Sequence, residues 1–469
     1  MIVGIISETA IEHVLPVTQG LDSSVEVIEW RLDYLPELNL DAIQAVLDKI
    51  TLPVIFTLRA ALNEKTRLKY LLQLVALSPA YIDIESHVDD DFVSQLKQKN
   101  PLVNIIRSLH YFYETPTQLD SILEAMQHPD VSIYKLITYA KNSLDNLRVL
   151  HCLKKQSSKI SLVMHCMGDC GLPSRILGPI FGNVFTYGAL NAKSPAPACP
   201  SVADLMEIYR VHRLNTDTKV YALLGDPVAH SIGHLYHNKI FSEKEFNCVY
   251  VKFQLKAEEL PMFFKNIKGL PFSGFSVTMP LKEAVIPFVD ELNESEQEIG
   301  AVNTIKIISE KRYGINTDGD GALDAIEQHG SVKNKRMLII GAGGAAKAIA
   351  YAAHQRGAAI TVLNRTLVHA TSLAESLGGV AYDFQGFKQY EGKPFNVVIS
   401  AVPSDTALDV TLFNLIGAYV SKKTIFMGID YLSQQSLLSE HMHAHGCVTI
   451  GPREMFYRQA ARQQGCWSS

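Results

Sequence analysis

The chain has 469 residues, with 43 lysines and arginines against 48 aspartates and glutamates, 47% hydrophobic and 19% charged residues, and a formal net charge of −5. That is the composition of a globular chain of about three domains, which excludes disorder, and without a basic stripe it points away from nucleic acid. Seven cysteines are expected to be reduced thiols in a cytoplasmic protein, Met1 to Glu8 lacks the flank and core of a signal peptide, and no run approaches the ~18 apolar residues that span a membrane.

In chain order, short β-branched runs at 3–7, 25–31, 54–58, 81–84, 103–108, 133–138, 160–164 and 184–186 read as strands. Helical stretches such as 40–49 and 119–126 lie between them. Eight strand-and-helix units within about 210 residues read as a (β/α)8 barrel, with 201–212 as its last helix. The polar stretch 213–219 follows, and a strand at 220–224 restarts the pattern, which sets a domain boundary there. Residues 219–330 alternate strands and helices. A strand at 336–340 then runs into Gly341-Ala342-Gly343-Gly344-Ala345-Ala346 and an alanine-rich helix to Arg356, with further strands at 360–363, 396–400, 424–427 and 448–450. This is the pattern of a Rossmann domain. The expected division is 1–213, 219–330 and 331–469, with the final helix returning to the middle segment.

Lys135 lies in Ser132-Ile133-Tyr134-Lys135-Leu136-Ile137-Thr138, a strand with apolar residues on both faces. Strands of a parallel barrel are buried on both faces, so an ammonium there lowers its pKa or finds a partner. A lysine of lowered pKa is a nucleophile toward ketones. The other reading is a lysine that snorkels out or pairs with a barrel carboxylate. Glu29, Arg31 and Asp33 alternate along one strand, Thr57 and Arg59 along the next, and Asp83 and Glu85 along a third. Polar groups thus converge where barrel active sites sit, at the C-terminal strand ends. His110 follows the fifth strand as a candidate proton shuttle, and Arg175 follows the seventh with a fork suited to a carboxylate.

The first half resembles type I 3-dehydroquinate dehydratase. The resemblance rests on Glu29-Trp30-Arg31-Leu32-Asp33, Phe56-Thr57-Leu58-Arg59, His110, Lys135, Ser174-Arg175 and Phe185-Thr186-Tyr187-Gly188-Ala189. It implies an imine between Lys135 and the substrate ketone. His110 would take the C2 proton and help expel the C1 hydroxyl as water. Arg175, Arg59, Glu29 and Arg31 would hold the carboxylate and hydroxyls, and Ser7 matches a further position near the substrate. Two departures stand out. Asn63 replaces a family glutamate, with Glu64 beside it. The lid segment reads Ser194-Pro195-Ala196-Pro197-Ala198-Cys199, so Ser194 is kept but Cys199 stands where the family has glutamine. A thiol cannot supply both hydrogen bonds of an amide. The imine chemistry is expected to survive, with lid closure and affinity altered.

In the second half, Gly341-x-Gly343-x-x-Ala346 between a strand and a helix is the context of a dinucleotide loop. The next strand ends in Asn364-Arg365-Thr366, with an arginine where an NAD site wants an acid, which favours the 2′-phosphate of NADP. Lys282 falls in the first turn of a Pro-started helix, where the helix dipole disfavours a cation, a local penalty that points to function. This half resembles shikimate dehydrogenase. The resemblance rests on Gly225-Asp226-Pro227-Val228-Ala229-His230-Ser231, Val277-Thr278-Met279-Pro280-Leu281-Lys282-Glu283, Gly300-Ala301-Val302-Asn303-Thr304, Asn316-Thr317-Asp318-Gly319, 341–345, Asn364-Arg365-Thr366 and Gln459-Ala460-Ala461. It implies NADPH-dependent reduction of 3-dehydroshikimate. Lys282 would be the acid/base, Asp318 its partner, and Ser231, Thr278, Asn303, Tyr431 and Gln459 the substrate ligands. Gly341, Ala342, Gly343, Gly344, Ala345, Asn364, Arg365 and Thr366 would hold NADP. Gly233 replaces a serine of the family, which leaves room for the extra hydroxyl of quinate, and His369 stands where a second basic residue is expected.

Cys166 and Cys170 beside His165, and His441, His443 and His445 before Gly446, lack the spacing of a metal site, so none is expected. The expectation is therefore a (β/α)8 barrel fused to a two-lobed α/β dehydrogenase with a C-terminal NADP-binding Rossmann domain. It would be a monomer or homodimer that acts on small molecules. The alternatives are a quinate or dual quinate/shikimate dehydrogenase in the second half, and a non-catalytic metabolite-sensing regulator.

Overall fold

The computed structural model describes the chain except for residues 22, 60–62, 191–197, 431–435 and 469. Its contacts divide into two compact units. One is Met1–Ala222 with Asn238–Leu255 and Pro261–Phe272, and the other is Leu223–His237 and Lys256–Leu260 with Ser273–Ser469.

Eight parallel strands form the first sheet: β1 (Ile2–Ile6), β2 (Val25–Arg31), β3 (Val54–Thr57), β4 (Tyr81–Glu85), β5 (Asn104–His110), β6 (Val131–Tyr139), β7 (Leu162–Met167) and β8 (Thr186–Ala189). Their order, β7-β6-β5-β4-β3-β2-β1-β8, is that of an α/β barrel. Alternation along each strand sorts the residues into two cores. Val3, Val27, Ile55, Ile106, Ile133, Val163 and Phe185 point inward. Ile6, Ile28, Trp30, Phe56, Ile82 and Ile84 point outward, packed with Ile43, Leu71, Leu74, Phe92 and Leu96 of the surrounding helices. Two residues further along seven of the eight strands the inward layer becomes polar or ionisable: Glu29, Thr57, Asp83, Ser108, Lys135, His165 and Tyr187 are all buried and share the parity of the inward apolar residues, while β1 keeps the apolar Ile5 there. The lower layer is the packed floor on which the polar layer rests.

The seam between β7 and β8 differs from the other joints. Among the described residues, the bridge between Leu162 and Asn183 is the one backbone pairing that links the two sides. The Asn183 amide does the rest: Met164 N–H donates to Asn183 Oδ1 at 2.7 Å, and Asn183 Nδ2 donates to Met164 O at 2.9 Å. This side chain imitates a strand. It also shifts the expected strand at 184–186 to Thr186–Ala189, and the expected 160–164 starts at Leu162. The expected last helix at 201–212 is broken: a π-helical turn covers Asp204–Ile208, and Arg210 adopts a left-handed φ of 50°.

A second sheet holds β9 (Lys219–Gly225), β10 (Cys248–Gln254), β11 (Phe272–Val277), β12 (Glu291–Leu292), β13 (Thr304–Ile308) and β14 (Lys311–Ile315) in the order β10-β9-β11-β13-β14-β12. Instead of strict strand–helix alternation, β13 and β14 form an antiparallel hairpin. The third sheet is wholly parallel: β15 (Arg336–Ile340), β16 (Ala359–Leu363), β17 (Val380–Tyr382), β18 (Val397–Ser400), β19 (Ile425–Gly428) and β20 (Val448–Ile450), in the order β17-β16-β15-β18-β19-β20. That is the doubly wound Rossmann order, with its ligand crevice between β15 and β18. The short β17 escapes sequence reading because its three residues carry no periodicity. The final helix, Pro452–Ser468, packs on the helix Asp318–Ile326, and Trp467 Nε1 donates to Ile305 O at 3.1 Å.

Asn183→Ala removes both hydrogen bonds at the seam and leaves the Met164 backbone groups unpaired. The barrel is expected to lose about 2–4 kcal/mol, read as a lower midpoint for its unfolding transition, with Asn183→Asp recovering only the bond accepted from Met164 N–H.

Candidate active sites

The polar layer of the barrel is built around Lys135. Its Nζ donates to Glu29 Oε1 at 2.9 Å and Asp83 Oδ2 at 3.0 Å, and lies 4.2 Å from the Tyr187 ring centroid. Thr57 Oγ1 donates to the same Glu29 oxygen at 3.1 Å, and Ser108 Oγ to Asp83 Oδ1 at 2.5 Å. Each partner comes from a different strand, so closure of the sheet is what assembles the group. Of the two expected outcomes, a lowered pKa or a barrel carboxylate as partner, the structure shows the partner. Burial works against the charge, but Asp83 and Glu29 outweigh it and Lys135 is raised above its ordinary value. Asp83 is held below the usual carboxylate range: burial opposes this, and Lys135, Arg59 and the Ser108 hydroxyl prevail. The resting lysine is therefore an ammonium.

His110 ends β5, with the Arg59 guanidinium alongside its ring, 3.1 Å from each ring nitrogen. A neutral imidazole has one acceptor nitrogen, so only one of these contacts is a hydrogen bond. Burial first, then the charges of Arg59 and Lys135, hold His110 well below its ordinary value near 6.5, leaving an uncharged ring able to take a proton. Arg59 also lies 3.7 Å from Asp83 and 3.6 Å from Glu85. Arg175 is buried, with Nη1 donating to Tyr187 O at 3.1 Å and lying 3.6 Å from Cys199 Sγ. Among the described residues no carboxylate pairs with it, so its fork is open to an anionic ligand.

Other expected residues are placed differently. Arg31 spends its fork on Asp33, at 3.0 and 2.7 Å. Asp33 is not on the strand face, because β2 stops at Arg31 and Leu32–Tyr34 is a 3-10 turn. Ser7 follows β1 directly. Asn63 caps the helix Glu64–Ala76 by accepting from Lys65 N–H at 3.1 Å, and Glu64 binds the fully buried Arg67. Ser194 lies outside the described residues.

In the second unit, Lys282 Nζ donates to Asp318 Oδ2 at 2.6 Å. Asn303 Nδ2 donates to Asp318 Oδ1 at 2.8 Å and reaches Gln459 Oε1 at 3.3 Å. Gln463 Nε2 in turn donates to Asn303 O at 3.0 Å. The helix Leu281–Ala284 is a single turn, so the expected dipole penalty on Lys282 is slight, and its carboxylate partner dominates. Asp318 opens the helix Asp318–Ile326. Gly319 lets that helix lie against the helix Gly344–Gln355, since a Cβ there would come within 2.3 Å of Ala348 O. Ser231 Oγ accepts from Gly233 N–H at 3.2 Å, and Thr278 follows β11. Tyr431 lies outside the described residues.

The dinucleotide loop fits a pyrophosphate. Gly341 turns at a φ of +109°, which glycine permits. Gly343 precedes the helix Gly344–Gln355, no side chain caps that helix, and a Cβ on Gly343 would meet open space. Its first amides are therefore available to an anion. Ala342 and Ala345 flank them. A Cβ on Gly344 would lie 3.2 Å from Lys282 Cβ, so the loop borders the Lys282–Asp318 pair. Arg365 and Thr366 are exposed beyond β16, and Asn364 Nδ2 donates to Thr366 O at 3.0 Å. His369 is exposed one turn further on.

Two residues of the barrel's polar layer escaped sequence reading as individual candidates. His165 pairs in register with Ile137 on β6, and Tyr187 lies on β8. The parity that selects Lys135 selects both, once the strands are placed correctly.

Compared with known proteins, residues 1–216 match the sequence model of type I 3-dehydroquinase. Residues 223–305 match that of the shikimate dehydrogenase substrate binding domain, and 324–411 that of shikimate / quinate 5-dehydrogenase. The chain is 33% identical to the shikimate biosynthesis protein AroDE of Chlamydia pneumoniae, over 94% of this chain and 90% of that one. It is 31% identical to the chloroplastic bifunctional 3-dehydroquinate dehydratase/shikimate dehydrogenase of Arabidopsis thaliana, over 98% and 80%. A solved shikimate dehydrogenase in complex with NADP+ is 32% identical over 54% of this chain and 91% of that one, with a TM-score of 0.49.

Burial, then Arg175 and Lys135, also holds His165 well below its ordinary value. Below about pH 6.5 the unfolded chain takes up protons that the folded histidines refuse, so each costs the barrel up to about 1.4 kcal/mol per pH unit. Asp83, lowered, stabilises the fold above its ordinary value and is lost as pH falls through the lower folded one. Lys135, raised, stabilises below its ordinary value and is lost as pH rises through the higher one. Between those limits the histidines set the slope. His165→Gln is expected to reduce the fall in unfolding free energy between about pH 6.5 and 5 by about 1–2 kcal/mol, measured by denaturant titration at both pH values. An unchanged slope refutes the uncharged state of His165.

Proposed function

The chain belongs to the family of bifunctional 3-dehydroquinate dehydratase/shikimate dehydrogenases, and we propose that Lys135 and Lys282 are the two lysines on which its reactions turn. It dehydrates 3-dehydroquinate to 3-dehydroshikimate and reduces that product to shikimate. One observation supports the pair of assignments: each half holds a lysine in hydrogen-bond contact with an aspartate, at 3.0 Å for Lys135 and 2.6 Å for Lys282.

In the barrel, Lys135 sheds a proton and its Nζ adds to the substrate ketone. The carbonyl oxygen leaves as water and an imine remains. His110 removes the C2 proton, and the C1 hydroxyl departs as a second water with a proton from the same imidazole. The imine then hydrolyses, which restores the amine and releases the enone. Glu29 and Asp83 favour the protonated, electron-withdrawing form of the imine. Arg175, open on its fork, takes the substrate carboxylate. Arg59, Arg31 and Ser7 contribute hydroxyl contacts, with Ser194 and Cys199 in the lid.

In the second unit, Gly343, Gly344 and Ala345 amides hold the pyrophosphate of NADP, with Gly341 and Ala342 shaping the turn. Arg365 takes the 2′-phosphate, supported by Asn364 and Thr366. NADPH, when bound, supplies hydride to the ketone carbon. Lys282 gives a proton to the ketone oxygen, and Asp318 holds the ammonium in place. Asn303 fixes Asp318, and Gln459, Ser231, Thr278 and Tyr431 bind the substrate's hydroxyls and carboxylate. Gly233, which brings no side-chain hydroxyl beside Ser231, favours quinate as a second substrate, tested by comparing kcat/KM on both acids.

The boundaries 1–213, 219–330 and 331–469 follow from the same reading, with the protein a monomer or homodimer. All seven cysteines are free, which supports a reducing, cytoplasmic setting, and no helix among the described residues is long and apolar enough to cross a membrane.

A single cuvette with 3-dehydroquinate and NADPH tests the scheme. Wild type is expected to consume NADPH. Lys135→Ala should stop this while still reducing added 3-dehydroshikimate, and Lys282→Ala should slow both reactions about 100-fold or more. Turnover of 3-dehydroquinate by Lys135→Ala overturns the imine assignment. Arg365→Ala is expected to raise KM for NADP about tenfold and leave that for NAD unchanged.

A further inference from the structure

Tyr187 lines the barrel beneath Lys135 and has a hydroxyl with no evident use. The residue is 3% exposed. Its carbonyl accepts from Arg175, and its ring carries the Lys135 ammonium at 4.2 Å. Its hydroxyl is buried; the Lys135 ammonium can only donate toward its oxygen, and no group among the described residues accepts its proton. A phenylalanine would offer the same ring face to the ammonium without burying an orphan donor. An unpaired buried hydroxyl is a standing cost, and such groups call for an explanation.

Three of the four carboxylate oxygens around Lys135 are already engaged: Glu29 Oε1 takes Lys135 and Thr57, while Asp83 takes Lys135 on one oxygen and Ser108 on the other. None of them accepts from Tyr187, which leaves its donor for an acceptor on a ligand. The substrate's carbonyl oxygen is such an acceptor, because addition by Nζ requires the carbonyl to come into bonding distance of a nitrogen that sits over this ring.

We propose that Tyr187 is a further catalytic residue of the dehydratase, its hydroxyl donating a hydrogen bond to the carbonyl oxygen at the carbon that Lys135 attacks. The proposal rests on Lys135 being the imine-forming residue. The ammonium first gives one proton to His110; as the N–C bond forms, the carbonyl π pair moves onto oxygen, which takes a proton given up by the attacking nitrogen and becomes a hydroxyl. The C–O bond then breaks, the oxygen leaves as water with the proton held by His110, and the nitrogen lone pair closes the C=N bond. Tyr187 keeps its own proton throughout. Burial, which raises its pKa, suits a donor of this kind. It is strongest where charge on the oxygen is greatest, in the addition step, and so accelerates the step instead of only tightening binding.

Tyr187→Phe keeps the ring and deletes the donor. The dehydratase kcat is expected to fall about 10- to 100-fold with KM little changed. Shikimate dehydrogenase activity of the same chain should be unaltered, and the barrel's unfolding midpoint equal or higher. Borohydride trapping reports the imine directly, since hydride delivered to the C=N carbon leaves a stable secondary amine on the lysine. The adduct from 3-dehydroquinate should form on Lys135 more slowly in Tyr187→Phe by the same factor. An adduct at Lys135 formed as fast in the variant, with wild-type kcat, overturns the role of Tyr187 alone. A wild-type chain with no adduct, or with one on another lysine, overturns the Lys135 assignment and this proposal with it.

Discussion

An ammonium sealed inside a barrel is unfavourable unless anionic neighbours are built around it. The arrangement around Lys135 meets that requirement with two carboxylates, and much of the first domain follows from it. Glu29 and Asp83 stand on separate strands, 106 and 52 residues from Lys135 in the chain, so the ion pairs exist only when the whole sheet has closed. The hydroxyls of Thr57 and Ser108 then occupy further carboxylate lone pairs, and Asp83 is held below the usual carboxylate range. The same cluster sets the protonation of its surroundings. A lysine held positive beside Arg59 makes a charged His110 costlier still, and the pocket separates a protonated amine from an uncharged imidazole. These are the two states that the proposed imine chemistry exchanges between its nucleophile and its base.

The second catalytic unit solves a related problem by a different route. Lys282 is partly open to solvent and meets Asp318 alone, and the rigidity lies in the acid instead. Asp318 is tied through Asn303 to Gln459 and Gln463 of the final helix. That helix follows every strand of the Rossmann sheet in the chain, so the carboxylate paired with the lysine is braced by residues made after that sheet. Where the barrel assembles its charges from neighbouring strands, this site depends on a helix hydrogen-bonded to the second sheet.

Periodicity made the strand positions legible, and parity made Lys135 stand out, because a charged residue between Ile133 and Ile137 breaks an apolar pattern. The glycine loop was legible for a similar reason: Gly341 and Gly343 follow a strand of unbroken apolar residues. The charge state of Lys135 was not. Its partners are remote in sequence, and whether burial or pairing wins depends on distances that no local pattern contains. The displacement of β8 was hidden as well, since Asn183 pairs through its side chain, and a β-branched run at 184–186 looks the same whether or not it forms a ladder. Tyr187 was read only as part of the motif at 185–189, with no role of its own, because a tyrosine in an inward position reads as core, and only the lack of an acceptor for its hydroxyl proton sets it apart. The single turn at Lys282 shows the converse error, in which a Pro-started segment was credited with a helix long enough to exert a field.

The amide of Asn183 also bears on how the barrel is made. β1 precedes every other strand of the barrel, yet its second neighbour, β8, comes about 180 residues later. Until then β1 on one side and β7 on the other are open sheet edges, the surfaces most prone to pair with other chains. When β8 arrives it docks on β1 through a continuous ladder, but on β7 through little more than one side chain. Closure is thus lopsided: β8 joins one edge as a strand and the other as a clasp. The nascent chain has to shelter two edges for most of the synthesis of its first domain, and the last of them is covered by a residue that becomes available only when that synthesis is nearly over.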